Sequence, residues 1–276
     1  MAPALRPATT TTPPTADPPA RRDPTTIAPT TTTTTKPTVT VPPAPLPLPQ
    51  PGPTSSGPPA AGGYFSVLPP GTALPSEADC AARVHRSSWE PRPDNTTANN
   101  TSETGHLAKF TQWNAAWNAS YLPRVDGNFH GTTDEIFQYE ACKWGWSDDI
   151  VRAQAVTESN WHQSEVGDGG HSFGILQIKW DYHPVVSCQT CTGSSYPDSL
   201  NSTSFNVDLQ LAEMRGCYDG MSTYLGNTRG DLWGCIQSWY SGSWTPGGGT
   251  YAVGSSWGGG SVQTNLTNKP WLHWAG

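Results

Sequence analysis

The chain has little charge and no long apolar run. Only 13% of its residues are Asp, Glu, Lys or Arg, and acids outnumber bases 22 to 15, so the basic footprint that a nucleic-acid binder needs is missing. No stretch of about 18 apolar residues occurs, so no membrane span is expected. Nor does a basic start lead into an apolar segment of roughly 7 to 15 residues, so no signal peptide is visible. The first sixty or so residues lack the aliphatic and aromatic side chains that build a core. They are dominated by Pro, Thr and Ala, with a Thr30 to Thr35 run and a Pro-rich stretch from Val41 to Pro59. Such a segment buries too little apolar surface to offset its ordering entropy, and residues 1–63 are expected to be a disordered, partly polyproline tether.

What the chain has in surplus is Gly, Pro, Trp and an even set of cysteines. Cys80, Cys142, Cys188, Cys191, Cys217 and Cys235 favour disulfides, and with the Thr/Pro tether they suit an extracytoplasmic, secreted or wall-associated protein. Export would then use an N-terminal device not visible in this sequence, or an unusual route. Six cysteines allow fifteen pairings, and the set adopted as the expectation is Cys80 with Cys142, Cys188 with Cys191, and Cys217 with Cys235. Zinc is the rival for Cys188-x-x-Cys191, with His183 nearby, but a structural zinc site wants four ligands.

Aromatic residues return at Tyr64, where the globular part is expected to begin. Residues 64–130 read as an irregular extension, with a polar loop around Asn95, Asn99 and Asn100 and a stripe of Trp113 and Trp117 at i and i+4 that packs on the main domain. That main domain is read over residues 131–276. Thr132 and Glu135 have capping-box spacing, Ile136, Phe137, Glu140, Ala141 and Trp144 come next at helical intervals, and Gly145 ends that helix. Helices are also expected at Phe205 to Tyr218 and Leu232 to Tyr240, and a short strand or turn at Phe173 to Ile178. After Gly242 the chain turns Gly/Ser-rich to the end, around Trp244, Trp257, Trp271 and Trp274.

The chemistry is placed at Ser147 to Lys179. Ser147 is a candidate N-cap, with Asp148 and Asp149 in the first turn where carboxylates complement the helix dipole. Val151, Ala155 and Glu158 then fall at i, i+4 and i+7, so Glu158 shares a stripe with two apolar side chains and points inward. Desolvation there raises a carboxyl pKa, and an acid still protonated near neutral pH is what cleaving a glycosidic bond requires. Trp161, Trp180, Trp239 and Trp244 lie close by in sequence, and flat rings suit the apolar faces of sugars.

Glu158-Ser159, followed by Gly174-Ile175-Leu176-Gln177, resembles the Glu-Ser and Gly-Leu-Met-Gln motifs of the lysozyme-like superfamily, specifically lytic transglycosylases and goose-type lysozymes. Phe205-Asn206-Val207 resembles that family's Asn-containing helix start, and Trp239-Tyr240-Ser241-Gly242 its Tyr-Asn-Ala-Gly motif. The resemblance spans roughly Thr132 to Tyr251, with Ile175-Leu176 and Tyr240-Ser241 as departures. It implies a mainly α (α+β, lysozyme-like) fold around a central glutamate helix, and a muramidase that cuts the MurNAc-GlcNAc bond of peptidoglycan glycan strands. Glu158 would be the acid. Ser159, Gly174 and Gln177 would orient the glutamate or the sugar, and Trp239 or Tyr240 would take the place of the family tyrosine. Neither cofactor nor metal is implied, no nucleic acid is a partner, and a monomer is expected. Gly167-Asp168 resembles the loop of goose-type lysozymes that carries a base, which leaves two reactions open. A lytic transglycosylase forms 1,6-anhydro ends with Glu158 alone, whereas an inverting hydrolase also needs Asp168. Another glycan, such as chitin, and a non-catalytic wall-binding module are the remaining alternatives.

Overall fold

The computed structural model describes residues 55–103, 112–179, 198–255 and 259–276. Those residues are mostly helical, with one three-stranded antiparallel sheet. Cys188, Cys191, His183, Trp180 and Trp257 lie outside them, as does most of the expected tether. Among the described residues no helix is long and apolar enough to cross a membrane.

Chain segments upstream of the main domain wrap it and are fastened to it. Ser55 pairs with the Arg86 to Ser88 segment, its N–H donating to Arg86 O at 3.0 Å, so packed structure is already present nine residues before Tyr64, where the sequence places its start. Helix α1 (Glu77–Arg83) is tied to a later helix by Cys80–Cys142, one of the expected disulfides. The polar stretch expected as a loop forms a 3-10 turn, Pro93–Asn95, and a short α2 (Thr96–Asn99), in which Asn95 and Asn99 are buried. Local sequence gives no hint of this, because their amides serve distant partners. Of the expected tryptophan stripe, helix α3 (Ala115–Ser120) carries only Trp117, while Trp113 precedes it in a bridge to Ser222. Trp113 and Trp117 stack at 5.3 Å, and the Trp117 indole N–H donates to Ala212 O at 3.0 Å.

Helix α4 (Thr133–Lys143) opens on the expected capping box of Thr132 and Glu135. Helix α5 (Asp148–Ser159) comes next, and its first-turn acids do more than complement a dipole. Ser147 makes no side-chain cap. Asp148 accepts the N–H groups of Tyr64 and Phe65 and pairs with buried Arg152 at 2.7 Å, while Arg152 also holds Asp134. These acids therefore anchor the upstream segment to α5. The mutual attraction in a buried ion pair is largely offset by desolvation, but removing one partner is costly, by about 3–5 kcal/mol.

After α5 come strands β1 (Val166–Gly167), β2 (Ser172–Phe173) and β3 (Ile178–Lys179), in sheet order β1-β2-β3, with Val166 opposite Phe173 and Phe173 opposite Ile178. The chain continues through α6 (Asp198–Asn201), α7 (Thr203–Tyr218, capped by Ser202) and α8 (Leu232–Ser241, capped by Asp231). Cys217–Cys235 staples α7 to α8, the second expected disulfide.

The Gly/Ser-rich end is not the loose tail its composition suggests. It forms α9 (Thr250–Val253), α10 (Val262–Asn268) and a closing 3-10 turn, and α10 packs along α5, where the Asn265 amide donates to Thr157 Oγ1 at 3.0 Å. Trp271 is fully buried against Trp161, whose ring also meets Phe137 edge-on at 4.8 Å and Trp274 at 5.1 Å. Trp161 thus belongs to the core and not to a sugar-binding face. Its indole N–H is spent on Arg152 O, 2.9 Å away. Rings this large win the competition for burial because each removes on the order of 150–250 Å² from water.

Candidate active site

The turn from Gly174 to Gln177, between β2 and β3, is the mechanical centre of the site. Its anchors come from several different elements. Ser159 at the end of α5 donates to Ile175 O at 2.8 Å, and the Gln163 carboxamide accepts from Ile175 N at 3.0 Å. Asn206 in α7 accepts from Leu176 N at 3.0 Å and donates to Phe173 O and Ser199 O. Trp239 in α8 donates its indole N–H to Leu176 O at 3.1 Å. A buried turn must have its backbone groups paired, and here side chains do the pairing. The four motifs picked out in the sequence therefore meet at one place.

Gly174 is required there. Its φ is +79°, and a Cβ on it would lie 2.3 Å from Asn206 Nδ2 and 2.5 Å from Ser199 O. Gln177 also has positive φ, +51°, and its carboxamide closes the turn on Gly174 O at 2.8 Å. Gln163 is itself held by buried Asn95, whose carboxamide accepts Gln163 N at 2.8 Å and donates to Trp161 O. Asn95 and Gln163 are scaffold residues that no periodicity in the sequence marks.

Above this turn opens a cleft of about 840 Å³. Glu158, Asp168, Gln177, Lys179, Trp239 and Tyr240 line it, together with Trp113, Tyr224 and, from α7, Glu213 and Met214. Of the residues expected to bind substrate, Ser159 and Gly174 do not line the cleft but build the turn beneath it. Trp244 lies outside it too, with its indole N–H on Asp231 at 2.9 Å beside the start of α8. Glu213 and Tyr224, which sequence reasoning did not single out, also line it.

Glu158 is half-buried and lines the cleft. Burial raises its pKa to about 8, the Tyr251 hydrogen bond opposes the rise, and the charge of Asp168 adds to it. Tyr251, from α9, donates its phenol to Glu158 Oε1. This tyrosine, which sequence reasoning did not single out, touches the glutamate. It comes from a Gly/Thr context with no periodic signal. Burial and the adjacent carboxyl push the Tyr251 phenol well above its ordinary value, so it stays a hydrogen-bond donor. Tyr240, 54% exposed, stacks its ring on Tyr251 at 5.2 Å and 16°.

Asp168 stands on the β1–β2 turn with φ +51°. Ser172 Oγ donates to it at 2.8 Å and Lys179 Nζ pairs with it at 3.0 Å, and these contacts hold its pKa below the ordinary value. A carboxylate so engaged is a weak base. Among the described residues no group of three or more His, Cys, Asp or Glu is placed to hold a metal ion. Comparison of the chain with family models, with curated proteins and with solved structures produced no match.

Proposed function

We propose that the chain is a lysozyme-like, peptidoglycan-cleaving muramidase, acting as a lytic transglycosylase, with Glu158 as its only proton-transfer carboxyl. The observation that carries this reading is the state of Glu158: a carboxyl at a cleft wall, with a pKa near 8 and a phenol fixing one oxygen. Such a group is protonated at neutral pH and able to give its proton to the oxygen of a glycosidic bond. As the bond to C1 of the muramyl residue breaks, the proton moves from Glu158 to the leaving O4. The carboxylate left behind is stabilised by Tyr251, and it then takes the proton of the C6 hydroxyl as O6 closes on C1. The product is a 1,6-anhydro end, and the acid is restored. Glu158 gives one proton and takes one back, with no water consumed. Trp239 and Tyr240 offer aromatic faces in the same cleft.

The goose-type hydrolase is the second reading, since Asp168 also lines the cleft and its charge reaches Glu158. Its engagement by Ser172 and Lys179 favours the first. Extracytoplasmic placement accords with the two disulfides, which persist in oxidising compartments. The test is turbidity of a peptidoglycan suspension. Wild-type protein should clear it, and Glu158→Gln should sediment with it but clear it about 10²- to 10⁴-fold more slowly. Wild-type protein that sediments with the wall yet never clears it at any pH would make this a wall-binding module instead.

A further inference from the structure

Tyr251 meets Glu158 from a helix too short to persist on its own backbone hydrogen bonds, although Tyr251 and Ala252 are buried in the core. Helix α9 is a single turn of four residues, opened by Gly249, which supplies no side-chain cap. A lone turn of helix does not persist on its own hydrogen bonds. The missing cap comes from α8. The side-chain oxygen of Gln237, a buried residue, accepts both Gly249 N and Ala252 N at 3.1 Å. Both amides belong to the open N-terminal end of α9, which a local Ser or Asp would ordinarily cap. Gln237 lies one helical turn before Ser241, on the helix that also carries Tyr240 against the Tyr251 ring.

We infer that Gln237 is a positioning residue for the acid: by capping α9 from a distance it holds the Tyr251 hydroxyl on Glu158 Oε1, and so sets how readily Glu158 parts with its proton. This rests on the acid role proposed for Glu158. The titratable groups facing that carboxyl are Tyr251 from α9 and Asp168 from the hairpin, the latter paired with Lys179 and within the field of His171. Helix α10, packed on the same stretch of α5, brings the neutral Asn265 amide to Thr157.

The experiment is an NMR titration of the side-chain carboxyls in ¹³C-glutamate-labelled protein, with the Glu158 signal assigned by its loss in Glu158→Gln. In the wild type its midpoint should fall near pH 8. Tyr251→Phe removes a bond that favours the carboxylate and should raise the midpoint by about one pH unit. Gln237→Met, nearly equal in volume but without the carboxamide oxygen that caps α9, should raise it in the same direction, and the double variant should go no higher than Tyr251→Phe alone. Gly249→Ala gives a second route without emptying volume, since its Cβ would come within 2.8 Å of the Gln237 carboxamide, and it should raise the midpoint as well. An unchanged Glu158 midpoint in both Gln237→Met and Gly249→Ala overturns the assignment, as do shifts that simply add in the double variant. The titration reads the carboxyl directly. A chain that cleaves no glycan would therefore remove the catalytic role and leave this measurement decisive for Gln237.

Discussion

Replacing Gly174 with alanine tests whether the turn beneath the cleft is held as tightly as its hydrogen bonds suggest. Two costs add. At φ +79° an L side chain is strained by about 1–2 kcal/mol relative to glycine. The new Cβ would also stand 2.3 Å from Asn206 Nδ2, 2.5 Å from Ser199 O and 2.9 Å from Gln163 Nε2, and overpacking of this kind costs typically about 1–3 kcal/mol. Neither amide yields cheaply, because Asn206 and Gln163 are the groups that pair the backbone of the same turn. The sum is about 3 kcal/mol, which for a protein of this size lowers Tm by about 6 to 12 °C. Gly169→Ala is the matched control: φ is +66° there but nothing lies within 4 Å, so only the strain remains. Thermal unfolding with disulfides intact, followed by circular dichroism, separates the two. If Gly174→Ala costs no more than Gly169→Ala, the close packing of Asn206 and Gln163 around the turn is refuted.

The electrostatics and the core supply three further expected outcomes. Asp168→Asn removes a charge that raises the Glu158 pKa, so the alkaline fall of the pH–rate profile should move to lower pH, with the rate at its optimum reduced by less than about tenfold; a loss near the size expected for a general base, about 10²-fold or more, would favour the hydrolase. The folded pKa of Glu158 lies above its unfolded value, so the folded state holds a proton that the unfolded chain has released, and this group's contribution to stability falls as pH rises from about 4.5 to about 8. Glu158→Gln should therefore be more stable than wild type at pH 8 and nearly equal to it at pH 4, as urea midpoints at the two pH values would show. Trp161→Ala should cost about 3–5 kcal/mol, because its ring is fully enclosed by Phe137, Trp271 and Trp274, whereas Trp244→Ala, outside the cleft and half-buried, should cost less and leave glycan binding unchanged.

The central helix, its apolar stripe under Glu158 and the Thr132–Glu135 capping box are legible in the amino-acid sequence, because each depends on spacing within a helix; cysteine arithmetic marks disulfides as expected, but which of fifteen pairings forms is decided by the fold. The convergence of Ser159, Gly174, Asn206 and Trp239 on one turn is marked by the motifs that carry them. The parts that are not legible are held by contacts remote in sequence. Tyr251 lies in a Gly-rich stretch, 93 residues from the carboxyl it touches. Asn95 sits 68 residues from the Gln163 backbone it fixes. A lone amide or phenol carries no periodic signal, and its composition alone assigns it to a loop. Trp161 misleads in the opposite sense: proximity to the motif suggests a sugar platform, while the return of the C-terminal segment over α5 seals the ring into the core.

The most direct test of the proposed chemistry is mass spectrometry of muropeptides released from purified peptidoglycan at near-neutral pH. A single acid that gives and retakes one proton predicts 1,6-anhydromuramic ends, lighter by one water than their reducing counterparts, in wild-type digests and their absence in Glu158→Gln. Reducing ends alone, with activity abolished in Asp168→Asn, would contradict that account and place the catalytic base at Asp168.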